Sequence, residues 1–432
     1  MRTSTTRTRR GFTLLELAIA MGVSSMVVLA ALTLLMSQQR AYQAGTEDRS
    51  LQDTGRVALS AVMGPLRTAG YGIDPAFALD LGDTEPVWIM KRGNRELIGA
   101  LRSYACDAPI LCRDHVDAPD ELVFYARDPT FRRPVVAATA ASVRLRGQMA
   151  QTLRRGQVLQ LMCNTEPFLR AYVTVGATVG PVIPPDPDAE YDVQLEAGVQ
   201  IGGRDAFPNQ NAILTTPCFS TGDAIAAKVD RFRFHVVSFL PDGTVFDPRV
   251  DGGDAVQTAY SRPYLMLDQG LFDENDELID RPVAPDVEDL QVTYLYRPAV
   301  PNGALQEVGA AEGFTADADA FPMQLVAPPR ITDPPTAPSR ATGSPVNIQA
   351  IRVSLVVRSP DENIKYASED DRRIPPQRVT DDPNDPAPLA NRPAYLGLTN
   401  YKRTRFDATA QMPNLRNAFV MYCNAAVSPG GC

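Results

Sequence analysis

Six cysteines, two histidines, several acidic clusters and one glutamate inside an apolar run are the residues of this chain that could do chemistry. The cysteines are Cys106, Cys112, Cys163, Cys218, Cys423 and Cys432, all well past the apolar run near the N-terminus. That placement suits disulfides formed in an oxidising compartment. Nearness in sequence favours Cys106–Cys112 and Cys423–Cys432, which leaves Cys163–Cys218. A metal or redox centre is the alternative. There is no C-x-x-C, and although Cys112 and His115 are three apart, neither histidine stands at zinc-ligand spacing from a cysteine pair. No metal and no cofactor is therefore expected. The acidic string Asp273-Glu274-Asn275-Asp276-Glu277, running on to Asp280, is loosely like a calcium loop. It lacks the glycine at the sixth position and the spaced final glutamate of a true EF-hand, so it reads as a solvated loop. Asp242-Gly243 and residues 251–254 read as turns.

Catalytic signatures are missing. No G-x-S-x-G, G-x-G-x-x-G, P-loop or H-E-x-x-H occurs. His235 falls inside an apolar strand over 231–240 and reads as a packed or edge histidine. His115 sits among Asp114, Asp117 and Asp120 in a loop. Nothing raises a hydrolase above background, and the chain is not expected to be an enzyme.

The remaining candidate is Glu16. Phe12 to Met36 reads FTLLELAIAMGVSSMVVLAALTLLM. As a helix this spans about 37 Å, enough to cross a bilayer core of about 30 Å. Arg2, Arg7, Arg9 and Arg10 precede it with no acid among the first eleven residues. The positive-inside rule then puts the N-terminus in the cytoplasm and the rest of the chain across the membrane. A cleaved secretory signal would have a shorter apolar core and a small-residue cleavage site, and Gln38 to Tyr42 offers none. A plain anchor does not explain an acid at membrane depth, which costs about 2–4 kcal/mol and asks for a partner. No cation lies within the run. A cut between Gly11 and Phe12 would create one, and the Glu16 of one subunit could meet the new amine on a neighbour's Phe12. The plainer alternative is that Glu16 snorkels to the cytoplasmic face.

Arg9-Arg10-Gly11-Phe12-Thr13-Leu14-Leu15-Glu16-Leu17 closely resembles the prepilin signal of type IV pilins and type II secretion pseudopilins. The resemblance implies cleavage after Gly11 and N-methylation of Phe12 by a prepilin peptidase. It also implies that Glu16 pairs with a neighbouring N-terminus during filament assembly. Methylation keeps the amine's charge, so the pairing argument survives it. Unlike many major pilins, the apolar run has no proline. Gly22, Ser24 and Ser25 are its only weak points for bending or close packing. The chain is also far longer than a typical major pilin, and both departures favour a minor, low-copy subunit.

The elements that must position these residues follow from pattern. At 432 residues the chain allows one large domain or two to three ordinary ones, at roughly 100–200 residues each. With 44% hydrophobic and 22% charged residues it is a folding sequence. The net charge is −9, and removing the four leader arginines leaves 38 basic against 51 acidic residues, so nucleic-acid binding is not expected. Thirty-seven prolines argue for long surface loops around a β-rich core. From Gln38 to about Arg67 the apolar positions Leu51, Ala58, Leu59, Val62 and Leu66 recur at three- and four-residue spacing, a stripe suited to lie on a sheet. Pro65, Gly70 and Gly72 mark its end. Strands are predicted over 121–126, 142–145, 158–162, 171–175, 229–239, 288–296 and 349–358. Connectors fall at 180–191, 321–345 and 375–393.

Further stretches resemble PilW-type minor pilins. Arg67-Thr68-Ala69-Gly70-Tyr71 is similar to the R-x-A-G-Y element after their long helix. Val287-Glu288-Asp289-Leu290-Gln291-Val292-Thr293-Tyr294 and Ile351-Arg352-Val353-Ser354-Leu355-Val356-Val357-Arg358-Ser359 are similar to two of their strands. Residues 403–417 resemble their closing strand, with Met412-Pro413-Asn414 a departure. The expected fold is α+β: a long N-terminal transmembrane and amphipathic helix packed on a head of antiparallel sheet with long loops. The expected divisions are a leader 1–11, an apolar helix 12–36, its amphipathic continuation 37–70 and a β-rich head 71–432. The resemblance implies a minor subunit of a type IV pilus, in its initiation or tip complex. Its partners would be the prepilin peptidase, other minor and major pilins and the inner-membrane assembly platform. It would sit first in the inner membrane, head outward, and then in the pilus. A J-type pseudopilin of type II secretion is the nearer alternative. A membrane-anchored periplasmic binding protein or hydrolase is the more distant one.

Overall fold

In the computed structural model, the described residues are 14–73, 78–80, 88–91, 94–97, 119–149, 151–166, 169–181, 186–196, 200–201, 204–205, 211–246, 261–275, 277–296, 306–309, 348–360 and 401–416. The chain divides into two units, residues 1–53 and 54–432. The first unit is the body of helix α1, Leu14–Leu66. Its segment Leu14–Gln39 is 26 residues long, apolar enough to cross a bilayer, and wholly exposed. Ser25, Thr33 and Ser37 return their hydroxyl hydrogens to the carbonyls of Gly22, Ala30 and Leu34, so these polar side chains satisfy themselves within the apolar stretch.

The second unit begins with the end of α1. There Gly55, Ala58, Val62 and Leu66 are buried at helical spacing, while Arg56, Val57, Ser60 and Gly64 are exposed. Gly55 is small for a reason: a Cβ would collide with the Phe406 ring. Gly70 (φ 77°) and Gly72 (φ 69°) take the left-handed conformation that lets the chain leave the helix. The chain then lays its backbone on the sheet, with the Gly70 N–H on the Tyr125 carbonyl (2.9 Å) and the Arg127 N–H on the Tyr71 carbonyl (2.9 Å).

The strands are β1 Leu79–Asp80, β2 Trp88–Lys91, β3 Asn94–Leu97, β4 Leu122–Ala138, β5 Ser142–Arg146, β6 Val158–Cys163 and β7 Arg170–Thr174. They continue with β8 Glu190–Gln194, β9 Gln200–Ile201, β10 Arg204–Asp205, β11 Ala224–Phe239, β12 Val245–Phe246, β13 Arg262–Phe272 and β14 Leu278–Pro285. The last are β15 Val287–Tyr296, β16 Gln306–Gly309, β17 Ile348–Arg358 and β18 Arg403–Gln411. A 3₁₀ turn Asn211–Thr215 and helix α2 Pro217–Ser220 precede β11, and helix α3 Pro413–Arg416 follows β18. All strand pairings are antiparallel. The protein is α+β, an N-terminal apolar helix followed by a head rich in antiparallel sheet.

Two long strands, β4 and β11, organise the head. They pair with each other from Leu122/Phe234 to Val135/Ala224, and near Ala227/Val229 the register slips. Each serves two structures. Their outer halves join β13 and β14 in an open sheet, where Phe124 stacks on Phe232 and Phe234 (centroids 5.1 and 6.2 Å apart). Their other halves belong to a closed barrel, in which β4, β5, β8, β7, β6 and β11 follow one another around. Closure happens between β7 and β8, through the Val175–Leu195 bridge and two backbone bonds of 2.8 Å, Gly176 N–H to Gln194 C=O and Glu196 N–H to Thr174 C=O. Val143, Leu145, Leu159, Leu161, Ala171 and Val193 point inward and are buried. Leu214 of the 3₁₀ turn and Phe219 of α2 close one end.

A second sheet runs β16-β15-β17-β18. It follows the open sheet through one residue, Asp286, which sits between β14 and β15 with φ 60°.

Several strands are longer than pattern predicts. β4 runs on through Pro129 and Pro134, beyond the expected 121–126. It tolerates both prolines because, until Val135 meets β5, it pairs on that stretch only with β11. β11 starts five residues earlier than expected, at Ala224. The expected connector 180–191 gives up its last two residues to β8. β13 and β14 were not foreseen. The expected connectors 321–345 and 375–393 lie outside the described residues.

Candidate functional site

At the N-terminal end, Leu14 opens α1, and Glu16 stands in its first turn on an exposed surface. Gly11 and Phe12 lie outside the described residues. The cysteines divide similarly. Cys163, the last residue of β6, and Cys218 in α2 are joined, with Cα atoms 5.9 Å apart. Cys106, Cys112, Cys423 and Cys432 lie outside the described residues, as does His115. The disulfide fastens the cap carrying Leu214 and Phe219 to the barrel wall.

The acidic string folds as a turn. Asp273 Oδ1 accepts the N–H groups of Asn275 (2.8 Å) and Glu277 (2.9 Å). Those bonds hold its carboxyl below the usual carboxylate range. Asp280, the far end of the string, reaches the buried His235, whose Nε2 is 3.0 Å from Asp280 Oδ2. Among the described residues, no group of three or more His, Cys, Asp or Glu is placed to hold a metal ion.

His235 belongs to a buried ionic cluster that pattern reading missed. On one face of β11, Arg231, Arg233 and His235 alternate, while Phe232, Phe234 and Val236 take the other face. Asp268 of β13 is fully buried and receives Arg231 Nη1 (3.1 Å) and Arg233 Nη1 (3.2 Å). Arg233 also grips Glu121 with Nε (3.2 Å) and Nη2. Burial alone would push the Asp268 carboxyl up. Arg231, Arg233, the Gly270 N–H and His235 together outweigh it, and the group ends below the usual range. The signal in the sequence was charge at every second position of an otherwise apolar strand, which marks a buried polar face and not a solvated one.

The segments that resemble PilW-type minor pilins converge in two places. Glu288 receives Arg403 Nε (2.6 Å) and Nη2 (3.0 Å) and Arg358 Nη1 (3.3 Å), all three side chains being buried. Ser359 Oγ accepts the Lys402 N–H (3.1 Å) beside them. At the helix end, the Asn414 side-chain amide donates to the carbonyls of Ala69 (3.1 Å) and Thr68 (3.4 Å). Both carbonyls belong to the turn that follows α1, where the Thr68 carbonyl also accepts the Tyr71 N–H (2.9 Å). Met412, buried, and Pro413, opening α3, end the strand and present Asn414 to that turn.

Comparisons with known proteins give two family matches. Residues 254–414 match the family model of the type IV pilus-assembly protein W, and residues 6–32 match the prokaryotic N-terminal methylation motif. Neither a curated protein nor a solved structure matches the chain. The first match holds β13 to β18, with Glu288, Arg358, Arg403 and Asn414. The second holds Gly11, Phe12 and Glu16. A structural role in pilus assembly, in contact with other pilus components, follows from both, and together with the N-terminal apolar helix the two matches support a PilW-type minor pilin of the type IV class.

Proposed function

We propose that the chain is made as a single-pass inner-membrane precursor, cut after Gly11 and methylated on Phe12 by a prepilin peptidase. It then joins a type IV pilus in its initiation or tip complex. The reading rests chiefly on one observation: the methylation motif runs directly into an apolar helix that carries an acid five residues from the cut. Arginines ahead of the run favour a cytoplasmic N-terminus, with the head in the periplasm and later at the cell surface. The apolar surface of α1 supplies the filament interface. Glu16, facing the methylated amine of a neighbour's Phe12, sets the axial step between subunits. Such a head-to-tail contact does not close on itself and so makes fibres. Cys106–Cys112 and Cys423–Cys432 are the remaining disulfides in this reading. The protein-W match at 254–414 favours the pilus over type II secretion.

Mass spectrometry of the mature N-terminus is the direct test. A chain that begins at N-methylated Phe12 in cells with active prepilin peptidase agrees with the proposal, and one that keeps Arg9-Arg10-Gly11 refutes it. Glu16→Ala should leave membrane insertion intact and abolish or slow incorporation into fibres. Normal incorporation of that variant would remove the register role.

A further inference from the structure

The two sheets of the head meet at a turn that should be weak and is instead heavily tied. Asp286 holds φ 60° without being glycine, a conformation that costs about 1–2 kcal/mol and persists only where its surroundings impose it. Its N–H donates to the Pro263 carbonyl (2.7 Å) in the open sheet. Its carbonyl accepts the Arg358 N–H (2.9 Å) from the second sheet. Its carboxylate takes both arms of Arg262, each at 3.0 Å.

Directly beyond lies the Glu288 cluster, which draws on four separated chain segments. Glu288 is the second residue of β15, Arg358 ends β17 and Arg403 starts β18. Arg358 also reaches across to the open sheet, where its Nη2 donates to the Ser261 carbonyl just ahead of β13. The Tyr401 ring lies 4.1 Å from the Arg358 guanidinium carbon. A buried carboxylate held by two guanidiniums adds little net stability over an apolar packing, but the fork geometry fixes direction.

We propose that Glu288, with Arg358 and Arg403, is a lock that holds the two sheets at one angle across Asp286. The end of α1 meets the second sheet through Phe406, the turn after it is held by Asn414 and rests on the open sheet through Gly70 and Tyr125, and the barrel hangs from the open sheet. The lock therefore keeps the two sheets that seat the end of the helix from bending apart at the turn under load. Only that mechanical use depends on the chain working in a filament; the lock itself belongs to the free protein.

Hydrogen exchange on the full chain in detergent micelles, comparing wild type with Glu288→Gln, tests it. The Asp286 and Arg358 amides should exchange about tenfold faster or more, while the barrel amides of Leu159 and Leu161 keep their protection. Unchanged exchange at Asp286 and Arg358 would overturn the proposal. So would equal acceleration in the barrel, since the cluster would then only set global stability. Should Glu288→Gln fail to fold, Arg403→Lys keeps the charge, loses the fork, and is read by the same amides with the same two outcomes. No fibre is needed, so a failed lock and a failed pilus assignment give separate results.

Discussion

The Phe406 ring fills the space that a side chain at residue 55 would need, so helix and sheet approach each other through Gly55. We expect Gly55→Leu to push the last turns of α1 off β18 and cost about 1–3 kcal/mol. Thermal unfolding would read the loss. Phe406→Ala should be harmful alone yet restore part of the stability in the Gly55→Leu background, because the two positions share one volume. Additive losses would show that they do not.

The barrel closes where two backbones nearly touch. A Cβ on Gly176 would lie 2.9 Å from both the Glu196 nitrogen and the Leu195 carbonyl carbon. Gly176→Val should part β7 from β8, with a cost of about 1–3 kcal/mol by overpacking. The amides of Gly176 and Glu196 would then lose protection before those of β15 and β17. Retained protection at these two amides would mean that the closure is held elsewhere.

Asp268 answers two arginines at once, Arg231, which is buried, and Arg233, which is partly exposed and also held by Glu121. Asp268→Asn keeps the shape and removes the charge, leaving Arg231 buried without its counter-ion, at a cost of about 3–5 kcal/mol. The pH dependence has a definite sign. The folded-state pKa of Asp268 lies below its ordinary value, so its contribution is complete above about pH 4 and disappears as pH falls through the folded value. Chemical denaturation of the two proteins between pH 7 and strong acid, at matched salt, should show a gap that is constant above about pH 4 and narrows below it. A gap that widens on acidification would contradict the assignment.

Removing the disulfide should loosen the cap first. Cys163 and Cys218 are 55 residues apart, and replacing both with alanine should cost about 2–4 kcal/mol. Exchange should rise around Leu214 and Phe219 while β15, β17 and β18 stay protected. Loss spread evenly over the head would place the bond's effect in the unfolded chain alone.

How much of this was readable beforehand depended on whether the signal was local. The apolar run, its arginines and Glu16 are contiguous, and one string of nine residues carried the family likeness. The second sheet was readable for the same reason, since β15 and β17 each contain an apolar alternation without a break. The barrel was not. Its closure rests on β7 meeting β8, two strands whose own patterns say nothing about which edge joins which. Pro129 and Pro134 also made β4 look short, although one unpaired edge is enough to admit both. The ionic face of β11 was visible as alternating charge, but its meaning depended on Asp268 and Glu121 arriving from strands far away in the chain. Glu288, Arg358 and Arg403 were noticed only as letters in family-like strings; folding brought them to one point.

The chain sets out along β4 and comes back along β11, its immediate neighbour, with everything between Val135 and Ala224 forming one excursion. Departure and return thus share a doorway, and such a detour can grow at little entropic cost to the frame it leaves. The barrel can be remodelled generation by generation while the two sheets that seat the end of α1 stay as they were.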